Sequence, residues 1–211
     1  LLALVLSVSL SAAPSREAFA LEERQVSGVP VDAFEWGDAN LTIELWARSP
    51  MIFSPVSMDF DAQGRLWLTE GIDYQRGLRT EGGRSIIVLE DKDWDGKADS
   101  SHVFVTDPDI RHAALGIAVF DNQIVLSSTP SIIVYTDVNR NAVFDEGVDK
   151  REVFLTGFRD ASHDHTLHAV VGAPSGQWHF SYGNRGADIT TKDGRHHISG
   201  CYYGYSDGIG K

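Results

Sequence analysis

The chain has 211 residues, 42% of them hydrophobic, and a formal net charge of −12. The length suits one large domain or two small ones, the composition excludes wholesale disorder, and the acidic surface would repel a polyanion, so nucleic acid is excluded as a partner. A single cysteine, Cys201, excludes an internal disulfide, a multi-cysteine zinc site and a covalently attached haem in this segment.

The first predicted element is an apolar stretch over residues 1–13, which has the length of a signal-peptide core and is too short to span a bilayer. Small residues at Ala18 and Ala20 fit cleavage before Leu21. A short buried helix is the alternative. We predict a signal peptide over 1–20 that is truncated at its start, export to the periplasm or beyond, and no transmembrane helix in the mature segment.

Beyond residue 21 the pattern is that of β-strands. After an extended lead-in segment predicted for 21–50, short β-branched or aromatic runs alternate with turns rich in Gly, Asp, Asn and Pro. The run beginning at Ser85 (SIIVLEDKD) returns at Ser131 (SIIVYTDVN), an offset of 46 residues. A strand–turn–strand unit also recurs over 58–70, 117–128 and 170–182.

A unit of several strands that repeats every ~40–55 residues is typical of β-propeller blades. A β-sandwich with coincidental internal similarity is the alternative. We predict an all-β fold, in which residues 51–211 form a partial β-propeller of about three four-stranded blades and the ring continues beyond the end of this segment.

Two acidic loops follow the repeated strand. The first carries carboxylates at loop positions 1, 3, 5 and 9 and a glycine at position 6, a spacing that wraps oxygen ligands around calcium, with a backbone carbonyl near Lys97 completing the shell. An acidic hairpin turn is the alternative. The second loop keeps the oxygen spacing but has two asparagines and no glycine, so it either binds calcium weakly or holds its turn by asparagine hydrogen bonds. The predicted ligands are Asp91, Asp93, Asp95 and Asp99 in the first loop, and Asp137, Asn139, Asn141 and Asp145 in the second.

The densest run of reactive side chains is the sequence SHDHTLH over 162–168. In one interpretation an Asp–His pair forms a general base, because the carboxylate orients the imidazole. In another, His163 and His165, with His168, bind a transition metal. In the third, these histidines only form hydrogen bonds with the backbone. The spacing alone leaves all three open.

Four stretches resemble the N-terminal propeller of the bacterial "putative membrane-bound dehydrogenase" proteins, which are exported and related to the soluble glucose/sorbosone dehydrogenase (quinoprotein) propellers. They are residues 46–77, 84–99, 132–158 and 163–184. The resemblance implies a six-bladed ring, with calcium and pyrroloquinoline quinone as cofactors. The turn over 173–176, Ala-Pro-Ser-Gly, departs from the Gly-Pro-Asp-Gly of that superfamily.

The resemblance also implies a mechanism, in which a hydride passes from a sugar or alcohol carbon to the quinone. Asp164 and His165 fall where the superfamily has its base pair, so His165 would take the hydroxyl proton and Asp164 would hold the ring. Glu70 is a candidate to line the central funnel of the propeller in which this reaction would take place; the alternative is an exposed acid at the end of a strand. Arg185 is a candidate to bind a carboxylate of the cofactor; the alternative is a solvated arginine in a loop. A cytochrome c is the expected electron acceptor.

A second class of function is a non-catalytic propeller that binds a glycan or a protein partner and uses calcium only to stiffen its loops. The sequence leaves this class open beside the enzyme.

Overall fold

The computed structural model describes residues 35, 37–38, 40–71, 84–110, 114–159, 166–183, 185–191, 193–200 and 202–206. The predicted signal peptide and the residues His163, Asp164 and His165 lie outside this set. Within it, no helix has the length and apolar character needed to cross a membrane.

Every regular element of the described residues is a β-strand. The first sheet is β1 (Pro55–Phe60), β2 (Leu66–Glu70), β3 (Arg84–Glu90) and β4 (Ser100–Asp107), paired in chain order. The second is β5 (Gly116–Phe120), β6 (Gln123–Ser128), β7 (Ser131–Thr136) and β8 (Lys150–Thr156), in the same order. The third sheet pairs β9 (Leu167–Gly172), β10 (Trp178–Tyr182) and β13 (Tyr202–Ser206), while β11 (Ala187–Thr191) and β12 (Gly194–Ile198) form a separate hairpin. All these pairings are antiparallel.

The first strand of each sheet lies beside the first strand of the next. The backbone amide of Ile117 in β5 donates to Ser57 Oγ in β1 at 3.1 Å. Gly116 packs so closely on β9 that a Cβ there would lie 2.5 Å from the Cα of Ala169, which explains the absence of a side chain. Successive four-stranded meanders joined at their first strands are propeller blades, so the predicted all-β, partial-propeller fold is confirmed.

Alternating apolar residues on the strands fill the spaces between these blades. One buried cluster, which contains Trp67, Phe104 and Leu126, joins the first blade to the second. Another, which contains Val134 and Phe180, joins the second blade to the third. On the remaining face of the first blade pack four residues that precede β1, namely Trp46, Ala47, Met51 and Ile52. Burial of aliphatic and aromatic side chains between sheets is therefore what orders the blades.

Because successive strands of a blade are antiparallel, their connections alternate between two ends. We call lower face the end that carries the turns 61–65, 121–122 and 173–177 and the acidic loops 91–99 and 137–149. We call upper face the opposite end, which carries Glu70, Ala114, Arg159, Thr166 and Arg185. Hydrogen bonds between strand ends and connections link residues of the upper face: Thr69 Oγ1 donates to the Ala114 carbonyl at 2.8 Å, and the Gly183 amide donates to the Thr166 carbonyl at 3.0 Å.

The hairpin of β11 and β12 was not predicted. It is inserted between the second and third strands of the third blade, at the upper face, and packs on the end of β8 through a bridge between Phe158 and Ala187. The Asp188 amide donates to the Gly157 carbonyl at 2.8 Å. Gly157 has a φ of 113°, and a Cβ there would lie 2.0 Å from the Asp188 carbonyl oxygen, so only glycine allows this contact. The hairpin is thus firmly held against the second blade.

An ionic cluster around the buried Asp107 also ties the first blade to the second. Asp107, which is 5% exposed, accepts hydrogen bonds from the Tyr135 hydroxyl at 2.6 Å and from Arg151 Nε at 2.5 Å. Arg151 also pairs with the more exposed Asp109 at 2.6 Å. Burial acts to raise the pKa of Asp107, but the hydrogen bonds from Arg151 and Tyr135 outweigh it, and the pKa lies below its ordinary value.

This lowered pKa makes the stability of the fold sensitive to acid. The Asp107 carboxylate contributes its full stabilisation above its unfolded-state pKa of about 3.9 and loses it as the pH falls through the lower folded-state value. Urea unfolding of the wild type is therefore expected to show falling stability below about pH 4. In Asp107→Asn this part of the fall should be absent, and equal acid sensitivity of the two proteins would contradict the assignment.

Candidate functional site

The first acidic loop brings three of its four predicted ligands together. Single carboxylate oxygens of Asp91, Asp93 and Asp99 all lie within 4.8 Å of one another. Asp95 is outside this group, and its Oδ1 accepts the Lys97 amide at 2.9 Å. The Oδ1 atom of Asp91 is buried and has no hydrogen-bond partner among the described residues. Three close carboxylates, one with an unsatisfied buried oxygen, form a donor set that suits a hard cation.

The backbone of this loop turns sharply at two positions. Gly96 has a φ of 87°, and its amide donates to Asp91 Oδ2 at 3.0 Å. Trp94 has a φ of 61°, which is uncommon for a bulky residue. Its ring lies against Gly64 of the neighbouring turn, where a Cβ would come within 2.8 Å of it. Trp94 thus fixes the acidic loop against the lower-face turn of its own blade.

The second acidic loop repeats this backbone without a glycine. Arg140 and Ala142, at loop positions 4 and 6, both have a φ of 61°. The Ala142 amide donates to Asp137 Oδ2 at 2.9 Å, as that of Gly96 does to Asp91. Arg140 forms two hydrogen bonds to Asp121 of the adjacent turn, at 2.6 and 2.7 Å. The missing glycine therefore does not change the course of the loop.

The two loops differ in how their carboxylates are satisfied. In the second, the side-chain amides of Asn139 and Asn141 donate to Asp145 Oδ2 at 2.7 and 2.8 Å. These hydrogen bonds lower the pKa of Asp145. Asp149, which was not among the predicted ligands, accepts the amides of Val138 and Asp145 at 2.8 and 2.7 Å. Asp137 Oδ1, the counterpart of the unpaired Asp91 Oδ1, accepts the Asn141 amide at 3.2 Å, so the second loop satisfies with its own hydrogen bonds the position that the first leaves open.

The predicted cofactor-binding residues Glu70 and Arg185 lie at the upper face but in different surroundings. Glu70 is only 5% exposed and accepts the Phe53 amide at 3.0 Å, so the alternative of an exposed strand-end acid is wrong. Arg185 is exposed in the connection after β10, which agrees with the alternative of a solvated loop arginine. His168 is half-buried at the start of β9. The Asp164–His165 pair lies outside the described residues, between Arg159 and Thr166.

A different Asp–His pair lies on the inserted hairpin. Asp188 and His197 are cross-strand partners, and His197 Nδ1 lies 2.8 Å from Asp188 Oδ1. Arg159 donates to Asp188 Oδ2 from Nε at 3.2 Å and from a terminal nitrogen at 2.9 Å, and Arg195 lies 3.5 Å from Oδ1. We call Arg159, Asp188, Arg195 and His197 the hairpin cluster. The sequence shows His197 only as one of several imidazoles, because its partner is nine residues away.

The hairpin cluster keeps its central carboxylate ionised. Hydrogen bonds from His197 and Arg159 lower the pKa of Asp188 to about 2. Ala187 and Ile189, on the opposite side of the same strand, are buried in the core between the second and third blades. The strand alternation therefore directs Asp188 away from the core, and the apolar side anchors the charged one.

A family model with the description "Domain of unknown function (DUF7133)" matches residues 36–207. No curated protein matches the chain. Among solved structures, an iodide structure of Trichoderma reesei carbohydrate-active enzyme family AA12 is similar, with a TM-score of 0.46 and 17% identity over 67% of this chain and 32% of that one. A calcium structure of the same family gives 0.45 and 16% over 66% and 31%.

An X-ray structure of a "putative gluconolactonase" gives a TM-score of 0.43 and 16% identity over 75% of this chain and 52% of that one. The chain therefore spans about a third to a half of the length of these structures.

Proposed function

The chain belongs to the family described as Domain of unknown function (DUF7133), and we propose that it is part of an exported propeller oxidoreductase that oxidises a hydroxyl group of a sugar or alcohol at its upper face. The observation that carries this proposal is the position of the candidate residues. Buried Glu70, exposed Arg185 and both residues that flank the 160–165 segment lie at one end of the blades. A propeller binds small molecules where the connections at one end of its blades meet.

In the proposed reaction the bound sugar loses a hydroxyl proton and a hydride. His165 accepts the proton, and Asp164 holds the imidazole in the orientation that receives it. When bound, pyrroloquinoline quinone would supply the hydride acceptor. The assignment of His165 and Asp164 rests on the family resemblance of the sequence. An artificial dye takes the place of the expected cytochrome c in the assays below.

The residues of the upper face suit the quinone in part. Its carboxylates need cationic partners, and the exposed guanidinium of Arg185 has the donors that such a group requires. Buried Glu70 lines the same end of the first blade. We propose that Arg185 binds one carboxylate of the cofactor and that Glu70 lines the wall of the central funnel at the upper face.

Calcium has a structural role in this proposal. The carboxylates of Asp91, Asp93 and Asp99 fit the ion, and the unsatisfied Oδ1 of Asp91 is the observation that favours its presence. Their loop is on the lower face, at the opposite end of the blades from Glu70. An ion there stiffens the first blade and is too remote to touch an upper-face substrate.

Calcium titration is expected to show one strong site in this segment rather than two, because Asn139 and Asn141 already satisfy Asp145 in the second loop. Asp93→Asn should weaken that site about tenfold or more by removing one ligand charge, as read by calorimetry. At calcium about 100-fold above Kd, the wild type should gain about 2.7 kcal/mol in free energy of unfolding. Asp193→Asn, in the exposed hairpin turn, is the matched control. Equal heats of calcium binding for the wild type and Asp93→Asn would contradict the calcium site in this loop.

The function itself is tested with the full-length protein, reconstituted with pyrroloquinoline quinone and calcium and assayed for dye-linked oxidation of a panel of sugars and alcohols. We expect turnover that depends on the quinone and on at least one hydroxyl substrate. A protein that binds quinone or sugar but oxidises nothing on the panel would contradict the enzyme and favour the second candidate function.

That second candidate is a calcium-stiffened propeller that binds a glycan or a protein partner without catalysis. The observation in its favour is an open lower-face cavity of about 500 Å³, lined by Phe120, Trp178 and the turn that follows Gly172. The rings of Phe120 and Trp178 are stacked with their centroids 5.5 Å apart, and the half-buried ring of Phe120 offers apolar surface to a ligand. Glycan binding that Phe120→Ala abolishes, without oxidation by the wild type, would establish this function.

A further inference from the structure

The hairpin cluster holds more hydrogen-bond donors than its own carboxylate can accept. Two guanidinium groups supply ten N–H donors in all. Three described contacts link their nitrogens to Asp188, whose Oδ1 atom also meets His197. Arg195 is 74% exposed and Arg159 is 49% exposed, so their remaining donors are accessible to a ligand.

The backbones of Arg159 and Arg195 are fixed, and both guanidinium groups lie beside Asp188. The Arg159 amide donates to the Gly186 carbonyl at 3.2 Å, and its carbonyl accepts the Tyr182 hydroxyl, so its backbone is fixed on both sides. The backbone of Arg195 is fixed opposite Thr190 in the hairpin, and its guanidinium lies 3.5 Å from Asp188 Oδ1. Two guanidinium groups that start from fixed backbone positions beside one carboxylate need less reorganisation to meet an oxyanion.

From this arrangement we infer that the hairpin cluster is a binding site for a carboxylate-bearing sugar, such as a uronate, whose carboxylate is held by Arg159 and Arg195. The remaining donors match the geometry of a planar carboxylate, which accepts charge-assisted and bidentate hydrogen bonds, whereas a neutral sugar offers only uncharged oxygens. The other described acid of the hairpin, Asp193, lies in its turn. The inference rests on the proposed function for the fate of the bound sugar, since it specifies an acidic substrate at the same upper face.

Binding can be tested without turnover, by following the arginine side-chain resonances of the full-length protein during titration with glucuronate and with glucose. We expect glucuronate to bind more tightly than glucose and to be displaced by salt, because the contact is ionic and solvent-exposed. Arg195→Gln should weaken glucuronate binding about fivefold, the value of one exposed charged contact. Arg140→Gln, which removes an exposed arginine of the lower face, should leave binding unchanged.

A second variant is expected to raise the affinity for glucuronate, where Arg195→Gln lowers it. In Asp188→Asn the carboxylate that competes with glucuronate for Arg159 and Arg195 is gone, so glucuronate should bind more tightly than to the wild type. If the cluster had only a structural role, the variant would bind glucuronate more weakly or not at all. Equal affinity for glucuronate and glucose, or no effect of Arg195→Gln, would overturn the inference. Displacement of glucuronate by pyrroloquinoline quinone in an Arg195-dependent way would assign the site to the cofactor instead. Glucuronate binding, with no dye-linked oxidation of any sugar or alcohol on the panel, would leave the site in place and refute the proposed function alone.

Discussion

Replacement of His165 by alanine is expected to lower kcat of the reconstituted full-length protein by about 10²–10⁴-fold, the range that follows loss of a general base. The substrate hydroxyl would then have to release its proton to water. Calcium binding should change little, because the acidic loop 91–99 belongs to the other face of the propeller. Dye-linked steady-state kinetics on the best substrate of the panel is the measurement.

The neighbouring histidines provide the control for this result. His163→Ala tests whether any change in the run has the same effect, and His168→Ala tests a half-buried strand residue beside it. Both should retain most of the wild-type kcat. Near-normal turnover of His165→Ala, or an equal loss of kcat in His163→Ala, would contradict the assignment of His165 as the general base.

Replacement of Asp107 by alanine is expected to destabilise the fold by about 2–4 kcal/mol. The change leaves the buried Tyr135 hydroxyl without its acceptor and Arg151 without its closer carboxylate. Breaking a fully buried ion pair can cost more in free energy of unfolding. A larger loss is not expected here, because the Arg151 side chain is 30% exposed and water can solvate it. Urea unfolding of the full chain at pH 7 measures the loss.

The second carboxylate on Arg151 is the matched control. Asp109 pairs with the same guanidinium, but its side chain is 52% exposed, so Asp109→Ala should cost at most about 1 kcal/mol. Tyr135→Phe, which removes one hydrogen bond and keeps the ion pair, should lie between the two. If Asp107→Ala and Asp109→Ala were equally stable, the cluster would not join the blades as described.

The fold could be predicted from sequence because its evidence is local and repeated. The strand that begins at Ser85 and its copy at Ser131 became β3 and β7, the third strands of two successive blades. The turn at 121–122 and the acidic loops lie between strands as expected. The equivalence of Ala142 and Gly96 could not be predicted, because residues other than glycine rarely adopt a positive φ, and contacts with a neighbouring turn, such as that between Arg140 and Asp121, are not visible in the sequence of the loop.

The site was harder to predict because its contacts are long-range. Asp188 and His197 meet only through the register of a hairpin that interrupts the third blade, and Arg159 joins them from another blade. The hydrogen bond of the buried Glu70 likewise depends on the residues just before β1, which supply Phe53. In the first acidic loop, by contrast, the spacing of the carboxylates was informative, because a short loop brings its own residues together.

A crystal structure of the full-length protein, grown with calcium and a substrate sugar and measured at a wavelength where calcium scatters anomalously, tests most directly the claim that the two faces have separate roles. We predict an anomalous peak among Asp91, Asp93 and Asp99 on the lower face, and sugar density on the upper face, on the side of Glu70. A calcium peak on the upper face beneath the sugar, with none in the loop 91–99, would contradict it.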